Sequence, residues 1–111
     1  MNIQFSYKSV NQKDKTFLEN YIDKKIDRIK KLLKKLDFEN AILETRVEKF
    51  VKKEAYKVEI HLNFPGETLM ASEDDHTVIE AFDLALDKLI KQLRKFRESN
   101  KNTVTKNKII K

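Results

Sequence analysis

Eight cations at helical spacing are the residues in this chain best placed to do chemistry. Lys24, Arg28, Lys31 and Lys35 lie in one segment, and Lys88, Lys91, Arg94 and Lys95 in another. At about 100° per residue, Lys24, Arg28, Lys31 and Lys35 fall within an arc of roughly 60°. Lys88, Lys91 and Lys95 fall in a similar arc, with Arg94 on its shoulder. The chemistry such arcs perform is anion binding. Several Lys and Arg along a groove displace the counterions of a phosphate backbone. A solvated helix face is the ordinary alternative for either arc alone. Yet like charges three and four residues apart on a helix repel, by a few tenths of a kcal/mol per pair. The helix macrodipole accounts for Arg94, Lys95 and Arg97 near a helix end but not for Lys88 and Lys91, because the effect fades beyond the terminal turn.

Catalytic and metal chemistry find little support. There are two histidines, His61 and His76, no cysteine and one glycine. No HExxH, CxxC, phosphate-binding glycine loop or nucleophile elbow is present. Glu73-Asp74-Asp75 could hold Mg²⁺, but acids running into a helix start more often serve capping and dipole matching. The chain is therefore expected to be no enzyme, with no metal, cofactor or small-molecule substrate.

Composition agrees with an anionic partner. The 111 residues carry a net charge of +6, and 38% are charged, against a usual fraction of about 25%. The charge is segregated. Residues 23–35 hold seven Lys/Arg and two Asp, residues 88–97 hold five Lys/Arg and no acid, and residues 37–76 hold ten acids against five bases. A membrane partner is disfavoured, since the apolar stripes are needed for a core and there is no Trp. The opening MNIQFSYKSV lacks the build of a signal peptide, and no apolar run approaches the length of a span, so a cytoplasmic location is expected.

The elements that must hold these cations read as follows. Ile3, Phe5 and Tyr7 alternate with polar residues, as in a half-buried strand. Leu18, Ile22, Ile26, Ile29, Leu33 and Leu36 form the stripe of one long helix ending near Leu36. Leu43, Thr45 and Val47 mark a second strand, and Tyr56 to Phe64 a third. Pro65-Gly66 suits a type II turn into a fourth strand, Thr68 to Ser72. Thr77-Val78-Ile79-Glu80 has capping-box form. A second helix follows to about Arg97, with Val78, Phe82, Leu86, Leu89, Leu93 and Phe96 inward. Residues 98–111 lack a sustained period and are expected to be a basic, flexible tail.

The fold class is α+β, in the order β-α-β-β-β-α. A four-stranded mixed sheet, first strand parallel to the second, carries two helices side by side on one face. That is similar to a double-stranded-RNA-binding domain, though such domains bring basic residues to the start of the last helix, where this chain has Ser72-Glu73-Asp74-Asp75. The aromatic residues read as core, which argues against a stacking platform for single strands.

The segment ASEDDHTVIEAFDLALDKLIKQLRKFR, residues 71–97, resembles the closing part of the ribosome hibernation-promoting factor and ribosome-associated inhibitor family. The resemblance rests on Ala81-Phe82-Asp83, Lys88-Leu89, Gln92-Leu93 and Lys95, with MNIQFSYKSV and the basic first helix in support, over residues 1 to about 97. Thr77-Val78-Ile79-Glu80 departs from the family's usual Asp-(Met/Leu)-Tyr-Ala helix start. The resemblance implies a short-form member, with a single ribosome-binding domain over 1–97. It also implies binding to small-subunit ribosomal RNA in the messenger and transfer RNA channel, and translational arrest in stationary phase or stress. The matching contacts it implies are nine: Lys24, Lys25, Arg28, Lys31 and Lys35, then Lys88, Lys91, Arg94 and Lys95. The alternative is a protein-interaction module docking acidic partners, such as a modulator of the transcription machinery.

Overall fold

The computed structural model describes residues 2–35 and 40–110, with the side chains at 97 and 99–110 excluded. The elements run β1 (Asn2–Lys8), α1 (Gln12–Lys25), α2 (Asp27–Lys35), β2 (Ile42–Lys49), β3 (Tyr56–Phe64), β4 (Glu67–Asp75) and α3 (Val78–Ile110). The sheet order is β1-β2-β3-β4, with β1 parallel to β2 and the other two pairs antiparallel. This is the α+β mixed sheet that the sequence predicts.

Three features depart from the expected elements. The first helix is interrupted at Ile26. The Ile26 backbone stays in the right-handed region (φ −71°, ψ −15°). Its N–H donates to Ile22 O at 2.9 Å, and Lys30 N–H donates to Ile26 O at 3.1 Å. The i to i−4 bonding thus passes through the break, and α1 and α2 act as one rod. Leu36, assigned to the same stripe, lies outside the described residues.

Secondly, β4 extends to Asp75, so Glu73-Asp74-Asp75 is strand rather than loop. The long β3 supplies partners for all three: Val58 faces Glu73, Lys57 faces Asp74 and Tyr56 faces Asp75. The backbone ladder to β3, with Lys57 opposite Asp74 in register, offsets the low strand propensity of acids. Thirdly, the backbone of α3 continues helical to Ile110, past the end near Arg97 that the apolar period suggests. No Pro or Gly interrupts residues 98–110.

Local chemistry explains the element ends. Asn11 Oδ1 accepts from Asp14 N–H at 2.8 Å to cap α1, and Thr77 Oγ1 accepts from Glu80 N–H at 3.1 Å to cap α3. Gly66 has φ +83°, the value the second central position of a type II turn requires.

The core lies between the sheet and the helices. Leu18, Ile22, Ile26, Ile29 and Leu33 meet Phe82, Leu86, Leu89 and Leu93 over Leu43, Val47, Val58, Ile60 and Leu62, all buried. Both apolar stripes are therefore consumed by the sheet, which leaves the basic faces pointing outward.

Candidate nucleic-acid interface

All nine cations singled out above are exposed. Lys24 and Lys25 occupy the last turn of α1, Arg28, Lys31 and Lys35 lie on α2, and Lys88, Lys91, Arg94 and Lys95 on α3. Among the described residues, two polar contacts join the rods. Tyr21 OH donates to the Asp83 carboxylate at 2.6 and 2.8 Å. Arg28 Nη1 stands 3.8 Å from Asp87 Oδ1. Both pairs advance together along the chain, so the rods run in the same direction. The basic second half of α3 therefore lies alongside α2 rather than at the opposite end.

The seam itself is acidic. Asp83 and Asp87 line it on α3, held by Tyr21 and Arg28. Lys25 Nζ lies 5.5 Å from the Tyr21 ring centroid, at the same seam. Burial and then the Asp83 hydrogen bond push the Tyr21 phenol up to about 12, so it serves there as a donor. The cations thus form two rows flanking a partly neutralised floor.

The structure splits the α3 group. At about 100° per residue, Lys91 and Arg94 stand within about 40° of Asp87, while Lys88 and Lys95 turn roughly 80–100° toward β4. Lys88 makes an ion pair with Glu73 of β4, and Gln92 Nε2 donates to Met70 O at 2.7 Å on the same flank. Of the nine cations, Arg28 and Lys88 carry acid partners among the described residues.

Two features escape the sequence reading. The outward stripe of the first rod extends back through exposed Asn20, Phe17 and Lys13. Continuing the same angular count upstream would have found them. A basic loop between β2 and β3 also exposes Lys52 and Lys53 around Val51, which is 88% exposed. Only the hairpin places these lysines at the end of the sheet beside Ser9.

The opposite, open face of the sheet is a lattice of compensated charges. Arg46 meets Glu44 at 3.0 Å, and Lys57 and His61 meet Glu59 at 3.4 Å each. The hydrogen bond with His61 and the Lys57 charge hold the Glu59 carboxyl below its usual range, against the opposing effect of burial. A shallow depression of about 210 Å³ between Lys8, Arg46, Glu48 and Glu59 is lined by these same groups. Among the described residues no cluster of three or more His, Asp or Glu is placed to hold a metal. No helix of the described residues is long and apolar enough to cross a membrane.

The N-terminal domain of Thermus thermophilus Protein Y, known from a crystal structure, is similar with a TM-score of 0.69 and 26% identity, over 86% of this chain and 99% of its own. A ribosomal subunit interface protein from Coxiella burnetii also reaches 0.69, at 20% identity over 88% and 99% of the two chains, which shows a shared fold. A search of curated protein sequences finds no match. The model of the sigma 54 modulation protein / S30EA ribosomal protein family matches residues 3–101, nearly the whole chain and every element that carries the two basic rows. The chain belongs to that non-enzymatic, ribosome-associated family.

Proposed function

We propose that this protein is a hibernation factor. It binds small-subunit ribosomal RNA in the channel for messenger and transfer RNA, and it silences translation in the cytoplasm during stationary phase or stress. The observation that carries this reading is the parallel packing of the two rods, which sets two rows of exposed cations side by side. A single row would suit any solvated helix. Two rows of like charge facing outward repel each other, and phosphates are the counterions that relieve this. Family membership supplies the ribosome as the polyanion.

The contacts proposed are Lys24, Lys25, Arg28, Lys31 and Lys35 on the first rod and Lys88, Lys91, Arg94 and Lys95 on the second. The domain that makes them is residues 1–97, and residues 98–111 add weak phosphate contacts at most. If six to ten phosphates are engaged, affinity falls by roughly 10³–10⁵ between 50 and 200 mM salt. Co-sedimentation with purified small subunits across that range tests the proposal. Binding that ignores salt overturns the electrostatic mechanism. Capture of partners that survive nuclease treatment, with no affinity for the subunit, favours docking on acidic proteins instead.

A further inference from the structure

A ring stands within the cation row, near its start. Phe17 is 61% exposed on α1, the one mostly exposed aromatic ring among the described residues. Its neighbour Leu18 is fully buried, and Tyr21, one turn on, is held at the seam by Asp83. Phe17 therefore faces away from the core. At about 100° per residue, Lys13, Phe17, Asn20, Lys24, Arg28, Lys31 and Lys35 share an arc of about 80°. All seven are exposed. The break at Ile26 keeps its helical hydrogen bonds, so the arc runs unbroken from α1 to α2.

A lone exposed apolar side chain is ordinary on a protein surface. The other six residues of its arc are all polar or charged. Lys13 lies one turn before it, and Lys24 lies two turns after, about 10 Å along the axis. The row continues to Lys35. An apolar groove of a partner protein would have to desolvate these lysines to reach the ring. An unpaired nucleotide has no such difficulty, because it offers a flat π-face to the ring and phosphates on either side to the lysines.

We propose that Phe17 is a base-stacking residue. It receives an unpaired base of the bound RNA while Lys13 and Lys24 hold the flanking backbone. This rests on the RNA-binding reading above and adds to it a single-stranded element, which phosphate contacts alone do not require. The expectation that every aromatic residue belongs to the core fails at this position. Phe17 sits one residue off the apolar stripe.

The test uses the full chain with purified small ribosomal subunits and, in parallel, an unstructured oligouridine. Stacking is worth a factor of about 5 to 150 in affinity. Phe17→Ala is expected to lose that factor at every salt concentration while the slope of log K against log salt stays the same, since no phosphate contact is removed. Phe17→Leu is expected to behave like Phe17→Ala. Phe17→Trp is expected to bind as the parent, and its indole, unique in a chain without Trp, to be quenched by oligouridine. Parent-like binding by Phe17→Ala overturns the proposal and leaves the RNA reading standing. Rescue by Phe17→Leu also overturns it, because the contact would then be merely apolar. A parent protein that binds neither subunit nor oligouridine in a salt-dependent way removes both readings. The exposure of Phe17 means that Phe17→Ala should melt as the parent does, which thermal unfolding verifies.

Discussion

The Arg28 guanidinium stands 3.8 Å from the Asp87 carboxylate, across the seam between α2 and α3. Both side chains are more than half exposed, so the pair contributes little to stability. Its consequence is electrostatic: Asp87 competes with phosphate for Arg28. Asp87→Asn is expected to tighten RNA binding by about two- to tenfold at low salt, with the gain shrinking as salt rises. Thermal unfolding should shift hardly at all. Weaker binding by this variant would show that Asp87 positions Arg28 rather than occupying it.

The two flanks of α3 should respond differently. Lys91 carries no acid partner among the described contacts, whereas Lys88 is ion-paired to Glu73. Lys91→Gln is expected to lower the salt slope by about 1. Lys88→Gln is expected to change it less, because Lys88 must leave Glu73 to reach a phosphate. Salt titrations of the two variants against small subunits decide this; a larger loss for Lys88→Gln would move the contact surface toward β4.

Each tyrosine is tied to a carboxylate of another element. Tyr7 OH donates to Glu19 at 2.9 Å, Tyr21 to Asp83 and Tyr56 to Asp14 at 2.6 Å. Burial first and the acid second raise Tyr7 and Tyr21, the latter to about 12. For Tyr56 the Asp14 bond comes first and burial second, and it too rises to about 12. The unfolded phenol ionises near pH 10. Stability from these groups is thus fully present below pH 10 and is lost as pH rises toward and through 12. An alkaline titration of the tyrosinate band, free of Trp interference, should show ionisation delayed beyond pH 10 and coupled to unfolding. A transition near pH 10 in the folded protein would contradict these bonds. Replacing one tyrosine by Phe should cost about 1 kcal/mol.

Thr45 sits fully buried on the helix-facing side of β2, between Phe5 and Ile60 in register. Its Oγ1 has no hydrogen-bond partner among the described residues. Thr45→Val keeps the shape and removes an unsatisfied buried hydroxyl, a gain of about 1 kcal/mol or more. For a domain of this size that raises Tm by roughly 4–8 °C. An unchanged or lower Tm would reveal that the hydroxyl is satisfied.

Much of this was legible along the chain, for a physical reason. Strand and helix periods are local properties, so β3 and the stripes of Leu18–Leu33 and Val78–Leu93 could be read directly, as could the Thr77 cap and the Pro65-Gly66 turn. A period also tells which side chains face away from the core, and all nine cations do. What it cannot tell is what those outward groups meet. The extension of β4 through Glu73-Asp74-Asp75 depended on its register partners Val58, Lys57 and Tyr56 in β3. The division of α3, with Lys88 tied to Glu73 and Asp87 to Arg28, depended on the sheet and on the other rod. The outward position of Phe17 follows from the same helical count as the cations, and packing set how far that ring stays uncovered. Sequence alone determined that two helices would each carry a basic face. Only tertiary packing decided that the faces lie parallel, with an acidic seam between them, because ion pairs and burial are set by distances between elements far apart in the chain.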